Sequence, residues 1–166
     1  MNNPYAPHPP LPAALIEELA QRFVDRFSIS QAVRDQHGRD ESGHPAAPPD
    51  SAVLVETSKE VAEVVRLCSQ HRMPVIPYGA GSSVEGHFLA ICGGVCIDLS
   101  RMNRIVAIHA EDLDATVQPG VTRKQLNAEL HGTGLFFPID PGADASIGGM
   151  AATRACAGPT RVATRD

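Results

Sequence analysis

AVLVETSKEVAEVVRLCSQHRMPVIPYGAGSS, residues 52–83, holds the pattern from which the fold is read. Ala52 to Val55 is a short apolar run of strand type. Thr57 is followed three residues on by Glu60, a capping box in which each side chain satisfies an otherwise unpaired backbone N–H. Val61, Val64, Val65 and Cys68 then mark one face of a helix that Pro74 ends. Pro74-Val75-Ile76 is a second strand, and it runs straight into Gly79-Ala80-Gly81-Ser82-Ser83. The order strand, helix, strand predicts a βαβ unit with parallel strands and a right-handed crossover.

Upstream, the first ten residues hold four prolines and are predicted to be disordered. Leu15, Ile16, Leu19, Phe23 and Phe27 recur at helical spacing and predict an amphipathic helix from about Pro12 to Arg26. Residues 36–50 are polar and rich in Gly and Pro, which reads as a long connecting segment. Downstream, Gly94 to Asp98, Ile105 to Ile108 and Ala115 to Val117 are short strands divided by polar turns. Thr122 and Gln125 form a second capping box for a helix carrying Val121, Leu126 and Leu130 on one side, closed at Gly132. The class is α+β. The expected organisation is a helix and linker over 1–50, a partial ligand-binding domain over 51–153, and an anomalous tail over 154–166.

Composition narrows the partners. The chain has 166 residues, enough for one core, with 43% apolar and 20% charged residues, as in ordinary soluble proteins. A net charge of -5 excludes a nucleic-acid partner, which demands a basic face. Cys68, Cys92, Cys96 and Cys156 form no CxxC pair and lie at no zinc-finger spacing from histidine. They read as buried small hydrophobes in a reducing compartment, with no metal. No apolar run reaches membrane-spanning length and the start has no leader pattern, so the expected location is the cytoplasm, with a membrane reached only through a partner.

Two loops stand out. In Pro77-Tyr78-Gly79-Ala80-Gly81-Ser82-Ser83-Val84-Glu85-Gly86, glycines at the end of a strand let the backbone approach a ligand, and consecutive N–H groups with two serine hydroxyls form an anion-binding concavity. Val84 stands where a Rossmann third glycine belongs, and no Gly-Lys-Ser/Thr follows, so neither dinucleotide fingerprint nor Walker A loop is present. Without a lysine, a pyrophosphate is held by neutral donors; by itself the loop is equally a tight glycine turn. The second segment runs from Pro138 through Asp140, Pro141, Gly142, Ala143, Asp144, Ser146, Gly148 and Gly149 to Met150. Its small residues leave room for a flat ligand, and turn or helix-cap roles are expected for Asp140 and Asp144. His37, His44, His71, His109 and His131 read as solvated surface, whereas His87, just past the glycine loop, is open to a ligand contact or to strand packing.

VIPYGAGSSVEGHFLA, GGVCIDLSRMNRI, VQPGVTRKQLNAEL and GLFFPIDPGADASIGGMAATRA, four blocks in order between about His37 and Ala155, resemble the FAD-linked oxidases of the D-lactate dehydrogenase and glycolate oxidase group. The resemblance implies the first subdomain of an FAD-binding module of the vanillyl-alcohol oxidase type, incomplete, with a βαβ unit, short strands and a second helix. It implies pyrophosphate contacts from Gly79, Gly81, Ser82 and Ser83, within a cofactor-binding loop that also takes in Pro77, Tyr78, Ala80, Glu85 and Gly86. It also implies that Pro141, Gly142, Ala143, Asp144, Ser146, Gly148 and Gly149 line the ribityl and isoalloxazine region. Ser82 holds the position where flavin-linking relatives carry a histidine, so the FAD is expected to be noncovalent. The implied reaction oxidises a D-2-hydroxy acid and passes electrons to a quinone, a cytochrome or a partner subunit.

In that family the substrate residues, the base and any metal ligands lie further along than this chain extends, so no catalytic residue is assigned. Ala157-Gly158-Pro159-Thr160-Arg161 stands where the resemblance implies Ser-Gly-Thr-Asn-Ala, and one choice of codons for that stretch, read one nucleotide late, would encode it. The expectation is a frameshift from about Cys156, leaving an amino-terminal fragment whose flavin binding is weak or absent. The alternative reading is a truncated, non-catalytic product that binds at most a nucleotide or a partner chain.

Overall fold

A computed structural model describes residues 9–155 together with the backbone of 163–164. The proline-rich start up to residue 8 and most of the tail expected to be out of frame lie outside the described residues. Two compact units divide the chain after Arg101.

In the first unit, helix α1 (Ala13–Phe23) buries Leu15, Leu19 and Phe23, the same-face positions the periodicity predicts. The helix was expected to continue to Arg26. Instead Val24 takes a positive φ of 42° and the chain tightens into a 3-10 turn over Val24–Arg26. The Arg26 guanidinium holds that turn down by two bonds to Glu60, at 2.9 and 2.8 Å. Strand β1 (Phe27–Ser28) and helix α2 (Gln31–Gln36) follow, so residues 27–36 belong to this unit's sheet and its margin.

Strand β2 (Ser51–Leu54), helix α3 (Ser58–Gln70) and strand β3 (Val75–Tyr78) make the expected strand–helix–strand run. Its two strands are parallel but not neighbours. Strand β4 (Val95–Asp98) lies between them, giving the order β1-β2-β4-β3 with β1 antiparallel. All four β4 residues are buried, as befits a central strand covered on both faces. Val53, Val55, Val64, Leu67, Cys68 and Val95 are fully buried around it; each contributes roughly 1.5–3 kcal/mol, the smaller side chains less. The capping box forms with a shifted return arm: Thr57 Oγ1 accepts from Glu60 N–H at 3.2 Å, while Glu60 accepts from Glu56 N–H at 2.7 Å, one residue before the cap.

The second unit opens with an antiparallel hairpin, β5 (Ile105–His109) and β6 (Asp114–Val117), irregular between Ile105 and Ala107. Helix α4 (Arg123–Glu129), strand β7 (Leu135–Phe136) and helix α5 (Ile147–Ala152) follow, and β8 (Ala163–Thr164) pairs antiparallel with β7. Val121, Leu126, Leu130, Leu135, Phe137 and Met150 form its core. The expected second capping box is half made. Thr122 caps α4 through Gln125 N–H at 3.2 Å, but the Gln125 side chain donates to Asn103 O at 2.8 Å. The architecture is α+β, built from small separate sheets and short helices.

Candidate functional site

Strand β3 delivers the glycine loop to the end of the parallel sheet. Tyr78, its last residue, accepts Leu99 N–H at 3.0 Å, and there sheet pairing stops. The N–H groups of Gly79, Ala80, Gly81, Ser82 and Ser83 have no acceptor among the described residues. Of these, Gly79, Gly81, Ser82 and Ser83 are half-buried and Ala80 is exposed. Successive unpaired amides at a strand end make a cradle for a negative group, which supplies the acceptors the protein withholds. Gly81 is required there twice over: its φ is +71°, and a Cβ would fall against the Tyr78 hydroxyl.

Beneath Tyr78 the loop's platform comes from residues the sequence did not assign to it, His37 and Phe88. The Tyr78 ring packs on His37, with centroids 4.4 Å apart, and on Phe88 at 5.0 Å. His37 was expected on the surface; it is buried, because its ring bonds Val33 O through Nδ1 at 2.8 Å and Asp98 Oδ2 through Nε2 at 2.9 Å. Burial opposes the charged ring, but the bonds to Asp98 and Val33 and the Asp98 charge outweigh it and raise the His37 pKa. Burial likewise opposes the Asp98 carboxylate, and the His37 and Ser100 hydrogen bonds bring its pKa below the ordinary value. Burial, with the Asp98 charge, raises the Tyr78 pKa, so the phenol stays protonated.

The sequence-predicted ligand residues of this loop differ in what they have free. The Ser82 hydroxyl has no partner among the described residues. The Ser83 hydroxyl is used within the loop: it accepts from Glu85 and His87 N–H at 3.3 and 3.4 Å and lies 3.0 Å from His87 Nδ1. The Gly86 N–H is taken by Asp40 Oδ2 at 2.7 Å. Pro77 and Glu85 are exposed, and Glu85 lies beside His87, 3.6 Å away. His87 sits in the turn after the loop and packs in no strand.

In the second segment most polar groups hold the backbone. Asp140 accepts Gly142 N–H at 3.0 Å and pairs with Arg123 at 3.0 Å; Asp144 accepts Lys124 N–H at 3.0 Å and so caps α4. These are the turn and cap roles expected of them. Ser146 caps α5 through Gly149 N–H at 3.3 Å, and Gly148 N–H goes to Pro119 O at 2.9 Å. A Cβ at Gly148 would stand 2.6 Å from Pro119 Cβ, so its smallness serves packing. The N–H groups of Ala143 and Asp144 remain without an acceptor among the described residues, beside the exposed Pro141 and Gly142.

Of the cysteines, Cys68 and Cys96 are buried thiols, Cys68 pushed up to about 11 by burial. Cys92 is exposed, contrary to expectation, because it lies in the turn before β4. Cys156 lies outside the described residues. Among the described residues no three of His, Cys, Asp and Glu gather closely enough to hold a metal ion, and no helix is long and apolar enough to cross a membrane.

The FAD binding domain family matches residues 49–165. This chain belongs to that family. It is 53% identical over 128 residues to the probable mitochondrial D-lactate dehydrogenase of Danio rerio, covering 77% of this chain and 26% of that protein. It is 32% identical over 117 residues to a glycolate oxidase subunit of Bacillus subtilis, covering 70% of this chain and 25% of that protein. The chain thus spans about a quarter of the length of these curated relatives. Among solved structures, an alkyldihydroxyacetonephosphate synthase matches with a TM-score of 0.77 at 26% identity, over 89% of this chain and 33% of the other. The family's cofactor is FAD, and the glycine loop fits it: neutral donors, a left-handed glycine and no lysine among the loop's hydrogen-bond partners suit a diphosphate linked to two uncharged groups.

Proposed function

We propose that this chain is the FAD-binding portion of an FAD-dependent dehydrogenase or oxidase of D-2-hydroxy acids such as D-lactate or glycolate. What supports the reading most is the run of unpaired amides from Gly79 to Ser83 at the end of a parallel strand, in a chain of the FAD binding domain family. The amides of Gly79, Ala80, Gly81, Ser82 and Ser83, with the Ser82 hydroxyl, hold the pyrophosphate. Tyr78 backs the loop, and Pro77, Glu85 and Gly86 shape its margins. In the second unit the segment Pro141-Gly142-Ala143-Asp144 offers its amides to the flavin's polar groups, while Ser146, Gly148 and Gly149 keep that segment in shape.

Bound FAD supplies a hydride acceptor for the substrate's α-carbon, and the protein supplies placement. The attachment is noncovalent, since Ser82 occupies the position of the linking histidine. Electrons leave to a quinone, a cytochrome or a partner subunit. The cytoplasmic location is proposed from composition, although the Danio rerio relative is named mitochondrial.

The test is titration of FAD with the purified chain, followed by flavin fluorescence. The expected result is weak binding that ADP displaces and that Gly81→Val abolishes, with all flavin released on acid precipitation. Binding that ADP leaves untouched, or that Gly81→Val leaves intact, counts against the reading.

A further inference from the structure

The amides of residues 79–83 are unpaired, and the loop's own side-chain bonds are confined to its far end, from Ser83 to Glu85 and His87, so its donor arc needs support from outside. The supporting group lies in residues 36–50, the stretch that reads as a mere connector. Asp40 Oδ2 accepts Gly86 N–H at 2.7 Å, and Glu41 N–H donates to Ser83 O at 2.9 Å. The other carboxylate oxygen of Asp40 accepts Ser42 N–H at 3.0 Å and the Ser42 hydroxyl at 2.5 Å. The far leg of the loop is therefore tied at Ser83 and Gly86, while the near leg is fixed by β3 and by Tyr78 beneath Gly81. Between the two ties lie the free donors.

Resting on the FAD reading above, we propose that Asp40 is a positioning residue of the pyrophosphate loop. Its carboxylate engages the Gly86 amide and thereby holds residues 79–83 in the donor arrangement that receives the diphosphate. Asp40 does not touch the ligand itself. As a negative charge near a diphosphate it opposes binding by simple Coulomb repulsion, so its positioning role and its charge act with opposite signs. That opposition makes the proposal testable with one near-isosteric change.

Asp40→Asn keeps the shape and removes the charge, but it leaves one acceptor oxygen where the carboxylate has two. Its NH2 must face either the Gly86 N–H or the Ser42 donors, so one tie is lost and the other becomes a neutral bond of about half the strength. Two quantities are measured on the full chain: the exchange rate of individual backbone amides, and the dissociation constant for ADP. In the native chain the Gly86 amide exchanges at least about tenfold slower than the unpaired amides of 79–83, the protection expected of a hydrogen bond to a charged group. In Asp40→Asn the Gly86 rate rises about three- to tenfold and ADP binds about three- to tenfold more weakly, with exchange in Val95–Asp98 unchanged.

Native Gly86 exchanging as fast as its free neighbours overturns the proposal without any variant. Unchanged or tighter ADP binding by Asp40→Asn overturns it too, because charge alone then decides. A native chain that shows no response to ADP brings down the FAD reading and this proposal together, which distinguishes that failure from a failure of Asp40 alone.

Discussion

Both ring nitrogens of His37 face acceptors, the Val33 carbonyl and the Asp98 carboxylate, a pair of contacts that favours the doubly protonated, charged ring and raises its pKa. The resulting pair is buried beneath Tyr78. Its dependence on pH has a definite sign. The His37 pKa is raised on folding, so its stabilising effect is complete below the unfolded value near about 6.5 and fades as pH rises through the folded value. The Asp98 pKa is lowered, so its own effect is complete above about 3.9 and fades only as acid reaches the folded value. Stability measured by urea unfolding is therefore expected to fall as pH rises above about 6.5. His37→Ala leaves the Asp98 charge buried and unpaired, at a cost of about 3–5 kcal/mol, and its unfolding curve loses that slope. An identical slope in the variant would show that another group sets the pH dependence.

At the scale of elements, what the sequence makes legible depends on whether an element carries a period of its own. Helix α3 shows its apolar face and its cap in one line, Thr57 to Cys68, and the structure keeps both. Strand β1 has two residues and no period to read, and helix α2 buries none of its residues, so neither announces itself. The platform under the glycine loop went unread for the same reason: His37 and Asp40 sit in a polar stretch and acquire their roles only when β4 brings Asp98, and the loop brings Gly86, beside them. Helix α5, Ile-Gly-Gly-Met-Ala-Ala, even runs against propensity. It is held instead by the Ser146 cap, the buried Met150 and the close approach of Gly148 to Pro119. Gly148→Ala separates the two influences. Helix propensity alone would stabilise the variant by about 1 kcal/mol, whereas crowding against Pro119 destabilises it by about 1–3 kcal/mol. A lowered thermal midpoint is expected; a raised one would show that Pro119 yields.

For the molecule as a whole, the net charge of -5 gives a diphosphate no long-range attraction, and the glycine loop has no lysine or arginine among its hydrogen-bond partners. The glycine-rich motif was legible because its residue types are forced by backbone geometry, Gly81 above all. The neutral character of the site follows from the same short stretch. Affinity for ADP should then not weaken between roughly 20 and 300 mM salt, since no ion pair is there to be screened and salt only eases the repulsion from Asp40. A tenfold loss would mean that cationic side chains carry the binding.

The most direct measurement is the response of individual backbone amides to ADP, followed by nitrogen–proton correlation spectra of the labelled chain. Gly79, Ala80, Gly81, Ser82 and Ser83 are expected to shift together along one binding curve, with Val95–Asp98 still. Shifts confined to other regions, or a silent spectrum at millimolar ADP, would contradict a diphosphate cradle at the end of β3.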